Sequence, residues 1–84
     1  MAYLFLGNVD IDVSEEEIQE FLARYGFPRF DAIQHFPGNG SQPAVLLSYK
    51  ESSYALRGLL PRIHQLFWKR RMINALVPTE RFYS

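Results

Sequence analysis

The sequence contains no cysteine. That excludes a disulfide framework and any thiolate metal site, and it fits a reducing compartment. No stretch is apolar and long enough to form a membrane-spanning helix. Met1-Ala2-Tyr3 runs directly into an apolar segment without the basic region of a secretory signal. The expectation is therefore a soluble intracellular protein, cytoplasmic or, in a eukaryote, nuclear, with no membrane partner. Charge of one sign is not in excess either. Nine basic and nine acidic residues cancel, whereas proteins that bind nucleic acid chiefly through phosphates are markedly basic.

The chemistry of an enzyme is equally scarce. Two histidines, His35 and His64, stand far apart with no third ligand or orienting group nearby, so neither a metal centre nor a nucleophile triad is indicated. "PGNG" lacks the lysine and the serine or threonine of a phosphate-binding loop. Asp10 and Asp12 precede a helix start, where aspartate is ordinary turn chemistry. We expect no catalytic residue, no metal and no cofactor.

What the chain does have is aromatic residues: seven Phe, five Tyr and one Trp, 15% of the sequence. That is more than the core of an 84-residue chain needs. A chain of this size buries roughly 60–65% of its unfolded surface and folds with little margin. No linker, repeat or low-complexity run divides it, so residues 1–84 read as one domain, with a core over 3–78 and a tail over 79–84. Charge is polarised along the chain. Acids gather at Asp10, Asp12, Glu15, Glu16, Glu17 and Glu20, and bases at Arg57, Arg62, Lys69, Arg70, Arg71 and Arg81.

Periodicity supplies the elements. Tyr3 to Asn8 alternates as a strand. Ser14 and Glu17 form a capping box, with Val13 and Ile18 placed as a hydrophobic staple. Glu15, Glu16 and Glu17 favour the positive end of the helix dipole. Ile18, Phe21, Leu22 and Tyr25 make one apolar stripe, and Gly26 stops the helix. "FDAIQHF" (30–36) and "PAVLLSY" (43–49) read as strands joined through the Asn39-Gly40 turn signal. "ESSYALRGLL" (51–60) reads as a second helix with Tyr54, Ala55, Leu59 and Leu60 inward, closed by Gly58 and Pro61. "RIHQLFWKR" is an irregular connection with room for a short hairpin, and "RMINALV" (71–77) is a final strand. The order β-α-β-β-α-β gives an α+β, ferredoxin-like sandwich: a four-stranded antiparallel sheet with two helices on one face. The other face is open.

In "LFLGNV" (4–9), Leu4 and Leu6 share one side and Phe5 takes the other, the uncovered one. This hexamer resembles the first-strand signature of the RNA recognition motif (RRM) family, matching its aliphatic-aromatic-aliphatic-x-Asn-aliphatic pattern. Tyr25-Gly26, "YALRGLL" and "RMINALVP" are similar to later parts of that family, and the resemblance spans nearly the whole chain. It implies that Phe5 stacks on a nucleobase. The family's second signature, an octamer, carries a leading basic residue and outward aromatics at its third and fifth positions. Here the octamer is "QPAVLLSY": Gln42 replaces the base, Pro43 the glycine, and Ala44 and Leu46 both aromatics. Only Leu47 and Tyr49, the inward positions, keep their type.

On this reading the partner is single-stranded RNA, with DNA not distinguished. It would be held by stacking on Phe5 and by support from Leu46, Gln42, Asn74, Met72 and Phe36. In family register Phe30, Gln34 and Phe36 face outward and Ile33 inward. Arg29, Lys69, Arg70 and Arg71 are the expected phosphate contacts, with affinity modest and strongly salt-dependent. Trp68 either packs over the sheet edge or stacks toward solvent. Arg81, Phe82 and Tyr83 in the tail either extend the sheet surface or shield it. The alternative reading keeps the fold and buries the same apolar face, Phe5, Ala44, Leu46 and Leu76, against a protein partner or a second copy. The Arg-x-Phe motif by which some family members bind peptides is absent from "RIHQLFW".

Overall fold

A computed structural model describes residues 2–38 and 42–78. The elements are β1 (Ala2–Gly7), α1 (Glu15–Arg24), β2 (Ala32–Phe36), β3 (Ala44–Tyr49), α2 (Ser53–Leu59) and a single 3-10 turn at Leu60–Arg62. They are followed by β4 (Phe67–Trp68), β5 (Arg71–Met72) and β6 (Asn74–Leu76). A four-stranded sheet runs in the order β2-β3-β1-β6, antiparallel throughout. This is the expected α+β sandwich, with a small β4-β5 hairpin added to it. The Asn39-Gly40 turn signal and the tail from 79 to 84 lie outside the described residues.

Strand alternation decides which face is covered. Pairing sets Leu4 opposite Leu47 and Leu6 opposite Val45 in β1-β3, and Leu6 opposite Ala75 in β1-β6. All of these are buried, as is Tyr49 at the end of β3. Ile18, Phe21 and Leu22 of α1 and Leu56 of α2 join them in one core. The capping box forms as the sequence indicates. Ser14 Oγ accepts the Glu17 N–H at 3.1 Å, and Glu17 Oε1 accepts the Ser14 N–H at 3.0 Å. Gly26 sits at φ +90°, and the Phe27 N–H returns to the Leu22 carbonyl at 3.0 Å, so the chain leaves α1 through a left-handed residue.

Three expectations need correction. In α2, Tyr54 is 85% exposed and Ala55 is also exposed, while Leu56 is fully buried. The inward stripe is Leu56, Leu59, Leu60 and Ile63, because the apolar spacing continues into the 3-10 turn and its neighbour. Gly58 lies inside α2 rather than closing it. Phe30 precedes β2 and packs against the core, its N–H meeting Gln19 Oε1 at 3.4 Å. Outward aromatics on β2 therefore reduce to Phe36, while Ile33 opposes Leu47 on the inner face as expected.

The last strand is interrupted at Ile73. Its N–H and C=O are taken by Leu66 and Gln65 rather than by β1, at 2.9 and 2.8 Å. The next outward-facing donor, the Ala75 N–H, is accepted by His64 Nδ1 at 3.2 Å. The sheet edge at β6 is thereby occupied by the segment that follows the 3-10 turn.

Two substitutions test this packing. Tyr49 is fully buried, and its hydroxyl has no hydrogen-bond partner among the described residues. Burial, with Glu51 nearby, pushes its ionisation well above the ordinary tyrosine range. Tyr49→Phe removes a desolvated polar atom and is expected to raise stability by about 1 kcal/mol. Because the raised value means folding favours the neutral phenol, the wild type should lose stability as pH rises above about 10. Tyr49→Phe should not show that loss, as denaturant melts at pH 7 and pH 10.5 would reveal. A Cβ at Gly58 meets nothing within 4 Å. Gly58→Ala should therefore stabilise α2 by about 0.5–1 kcal/mol in the same assay.

Candidate nucleic-acid interface

Cross-strand pairing lays the uncovered face out in three rows. The first holds Ala32, Ser48 and Tyr3; the second Gln34, Leu46, Phe5 and Leu76; the third Phe36, Ala44, Gly7 and Asn74. Among these described residues none is charged. Phe5 stands at the centre of the second row, half-buried between Leu46 and the 55%-exposed Leu76. Glycine at position 7 leaves a floor beside the Phe5 ring. A Cβ there would sit 3.5 Å from the edge of that ring and 3.6 Å from the Asn74 Cβ. An aromatic whose ring edge rests over Gly7, with amides in its own and the adjoining row, Gln34 and Asn74, offers stacking together with hydrogen-bonding groups suited to base edges.

The structure brings together Phe5, Leu46, Asn74 and Phe36, the last 39% exposed at the β2 end of the third row. Gln42 is exposed just ahead of β3. Met72, 51% exposed, continues the outward phase of Asn74 and Leu76 beyond β6, while Ile73, Ala75 and Val77 are buried. Ala44 is only 8% exposed and offers little surface of its own. Sequence reasoning missed Tyr3, which shares the phase of Phe5 two residues away, and Gly7. Both were legible from strict alternation.

The basic residues are arranged differently from expectation. Lys69 donates to Glu17 Oε2 at 2.7 Å and stands 5.9 Å from the Trp68 ring, which draws it toward α1. Arg71 donates to Asn8 Oδ1 at 2.9 Å and lies 3.8 Å from Asp10, whose other oxygen accepts the Asp12 N–H of a tight turn. Arg29 lines a hollow with Glu15, Glu16, Glu20 and Asp31, an acidic setting unfavourable to phosphate. These three are thus already occupied by, or surrounded by, carboxylates. Arg70 is exposed and has no ion pair among the described residues. Trp68 stacks on Phe21 with centroids 4.3 Å apart and planes at 22°, so it packs on α1 rather than facing solvent. Arg81, Phe82 and Tyr83 lie outside the described residues.

No group of three or more His, Asp or Glu side chains able to hold a metal occurs among the described residues. No helix there is long and apolar enough to cross a membrane.

No family model matches the sequence, and no curated protein matches it. Solved structures do. The third RRM domain of Mip6 superposes with a TM-score of 0.70 at 13% identity, over 90% of this chain and 91% of that one. The third RRM domain of Pes4 gives 0.71 at 15%, over 96% and 95%. A chain of the Snu17p–Pml1p structure, an intermediate of RES complex assembly, gives 0.65 at 20%, over 95% and 68%. The chain has the RRM-like, ferredoxin-like fold.

Glu17 carries both the α1 cap and the Lys69 contact. The Lys69 hydrogen bond, followed by the Ser14 N–H, holds its carboxyl below the usual glutamate range. A depressed value means stability present above the ordinary glutamate pKa and lost as pH falls through the folded one. Lys69→Ala should move the Glu17 titration upward toward the ordinary value, read directly from its side-chain carboxyl NMR shift.

Proposed function

We propose that this chain binds single-stranded RNA across the open face of its sheet. The observation that carries the reading is the placement of Phe5. It is a half-buried aromatic at the middle of an uncharged face, its ring edge resting over Gly7, with the amides Gln34 and Asn74 in its own and the adjoining row. The RRM-like fold supports the same reading, since in that fold this strand position meets a base. One base stacks on Phe5, and Asn74 and Gln34 offer donors and acceptors to base edges. Leu46, Leu76 and Phe36 provide apolar contact, and Gln42 borders the strand-three side. The site of action would then be intracellular, in cytoplasm or nucleus. The reading assigns binding and no catalysis.

Electrostatics sets the expected strength. Arg70 is the flanking cation with no ion pair among the described residues, although it lines a hollow with Asp10, Asp12 and Glu17. Lys69 and Arg71 must exchange surface contacts, each worth about 0–1 kcal/mol, for phosphate. Engagement of about two phosphates gives a log–log salt slope near −1.4 for a single strand. That is shallower than three or four fully available cations would give, so stacking carries a larger share of the binding energy than charge does.

The same face also suits the protein-contact reading. Leu46 and Leu76 beside Phe5 form an apolar strip, and the octamer's outward aromatics are gone. A fluorescence anisotropy titration with a random pool of short RNAs at low salt separates the two. RNA binding predicts a saturable rise that weakens about tenfold in Phe5→Ala, the loss of one stacked base. It also predicts a mild salt slope, in place of the strong dependence expected from the basic run, because Lys69, Arg71 and Arg29 are paired with or surrounded by carboxylates. Absence of binding, with self-association or a pull-down partner lost in Phe5→Ala, would establish protein contact instead.

A further inference from the structure

The β4-β5 hairpin has two unlike faces. One is anchored: Trp68 stacks on Phe21, and Arg71 is tied to Asn8. The other displays Phe67, 67% exposed, directly across from Met72, 51% exposed. This pair does not stand apart from the sheet. Residues 72, 74 and 76 are exposed in alternation with buried Ile73 and Ala75, so the outward phase of β6 runs unbroken into β5. Asn8 Nδ2 donates to the Met72 carbonyl at 3.1 Å and fixes the hairpin to the end of β1. The open face therefore gains a fourth row, Phe67 and Met72, beyond the one that holds Asn74.

The turn joining the two strands is unusual in its residues. Lys69 and Arg70 have φ of 53° and 67°, the type I′ geometry for which Asn-Gly is the favoured pair. Two long cations in left-handed backbone put a basic tip beside an exposed aromatic. Lys69 turns back to Glu17, and Arg70, exposed and without an ion pair among the described residues, lines the same hollow with Asp10, Asp12 and Glu17.

We propose that this hairpin is a second base-stacking station. Phe67 takes a nucleobase, as Phe5 does one base or more away, and Arg70 meets the adjoining phosphate. The station supplies at the sheet margin an aromatic surface that Ala44 and Leu46 do not supply at its centre. This rests on the RNA reading of the main face. The occupant is one continuous single strand, because the exposed positions 76, 74 and 72 lead in alternation from the partner of Phe5 to the partner of Phe67. Met72 is four residues from Leu76, the partner of Phe5, which is about 13 Å along an extended chain. A few nucleotides cover that distance.

The test is anisotropy with random-pool RNA octamers, using wild type and the variants Phe5→Ala, Phe67→Ala, Phe67→Tyr and Arg70→Ala. Unchanged thermal midpoints and Trp68 emission confirm that the hairpin remains docked on α1. The expected result is a loss of about fivefold or more in Phe67→Ala, recovery in Phe67→Tyr, and a salt slope shallower by about 0.7 in Arg70→Ala. If wild type binds and Phe5→Ala weakens it while Phe67→Ala binds like wild type, the second station is wrong and the main site stands. If wild type binds no RNA, both are overturned. A change in self-association caused by Phe67→Ala, with RNA affinity unaltered, would overturn the station and make the hairpin a protein contact.

Discussion

The constraint on which the rest depends is the period-two alternation of β1, β3 and β6, held in register across the sheet. Leu4, Leu6, Val45, Leu47, Tyr49 and Ala75 are inward together because each pair is directly opposite. Burying each large aliphatic among them contributes on the order of 1.5–3 kcal/mol. A one-residue slip would expose the whole set at once. The same register leaves Tyr3, Phe5, Leu46, Asn74 and Leu76 on the opposite side, with no freedom to turn inward. The outer face is thus specified as firmly as the core, although its own side chains contribute little to holding the fold.

A second constraint fixes the margin of that face. One face of α1 and its C-cap carries Glu17, Phe21 and Tyr25 at successive turns. Glu17 closes the helix cap with one carboxylate oxygen and holds Lys69 with the other. Phe21 takes Trp68 on one side and Tyr25 edge-on at 5.4 Å on the other. The Lys69–Glu17 pair is solvent-exposed and weak by itself. The aromatic stack is the stronger anchor, worth about 0.5–1.5 kcal/mol beyond its buried area. Together with Asn8 and Arg71 these contacts turn a two-residue-per-strand hairpin, too short to stand alone, into a fixed extension of the sheet.

Much of this was legible in the sequence. Ser14 with Glu17 marks α1 because capping is local chemistry. The hexamer gives the orientation of Phe5 because alternation is local too. The phase of α2 was not legible. Apolar residues at 54, 55, 56, 59 and 60 surround most of a helix of seven residues, and two turns are too few to select one stripe. Ile63, seven residues after Leu56, was the deciding mark, hidden because it falls past the helix end. The basic cluster misled for another reason. Lys69-Arg70-Arg71 is one run in sequence, but a type I′ turn sends consecutive residues in different directions, and the carboxylates that claim two of them come from residues 10 and 17. Such pairings are long-range and leave no local signature.

The distribution of charge then bears on what kind of ligand the face selects. A surface whose cations are largely paired internally gains little from phosphate alone, so non-specific attraction to any polyanion is small. What remains is aromatic and aliphatic area with the amides Gln34 and Asn74 beside it, which on the proposed reading would suit unstacked bases better than a regular duplex. Duplex bases are already stacked, and a surface whose cations are paired internally has little to offer the backbone they present. On the proposed RNA reading, such a face would favour unpaired over paired strands through stacking area rather than through phosphate attraction. That preference would rest on the conjunction of an uncharged centre, a half-buried Phe5 on the open face and a charge balance settled among the protein's own side chains.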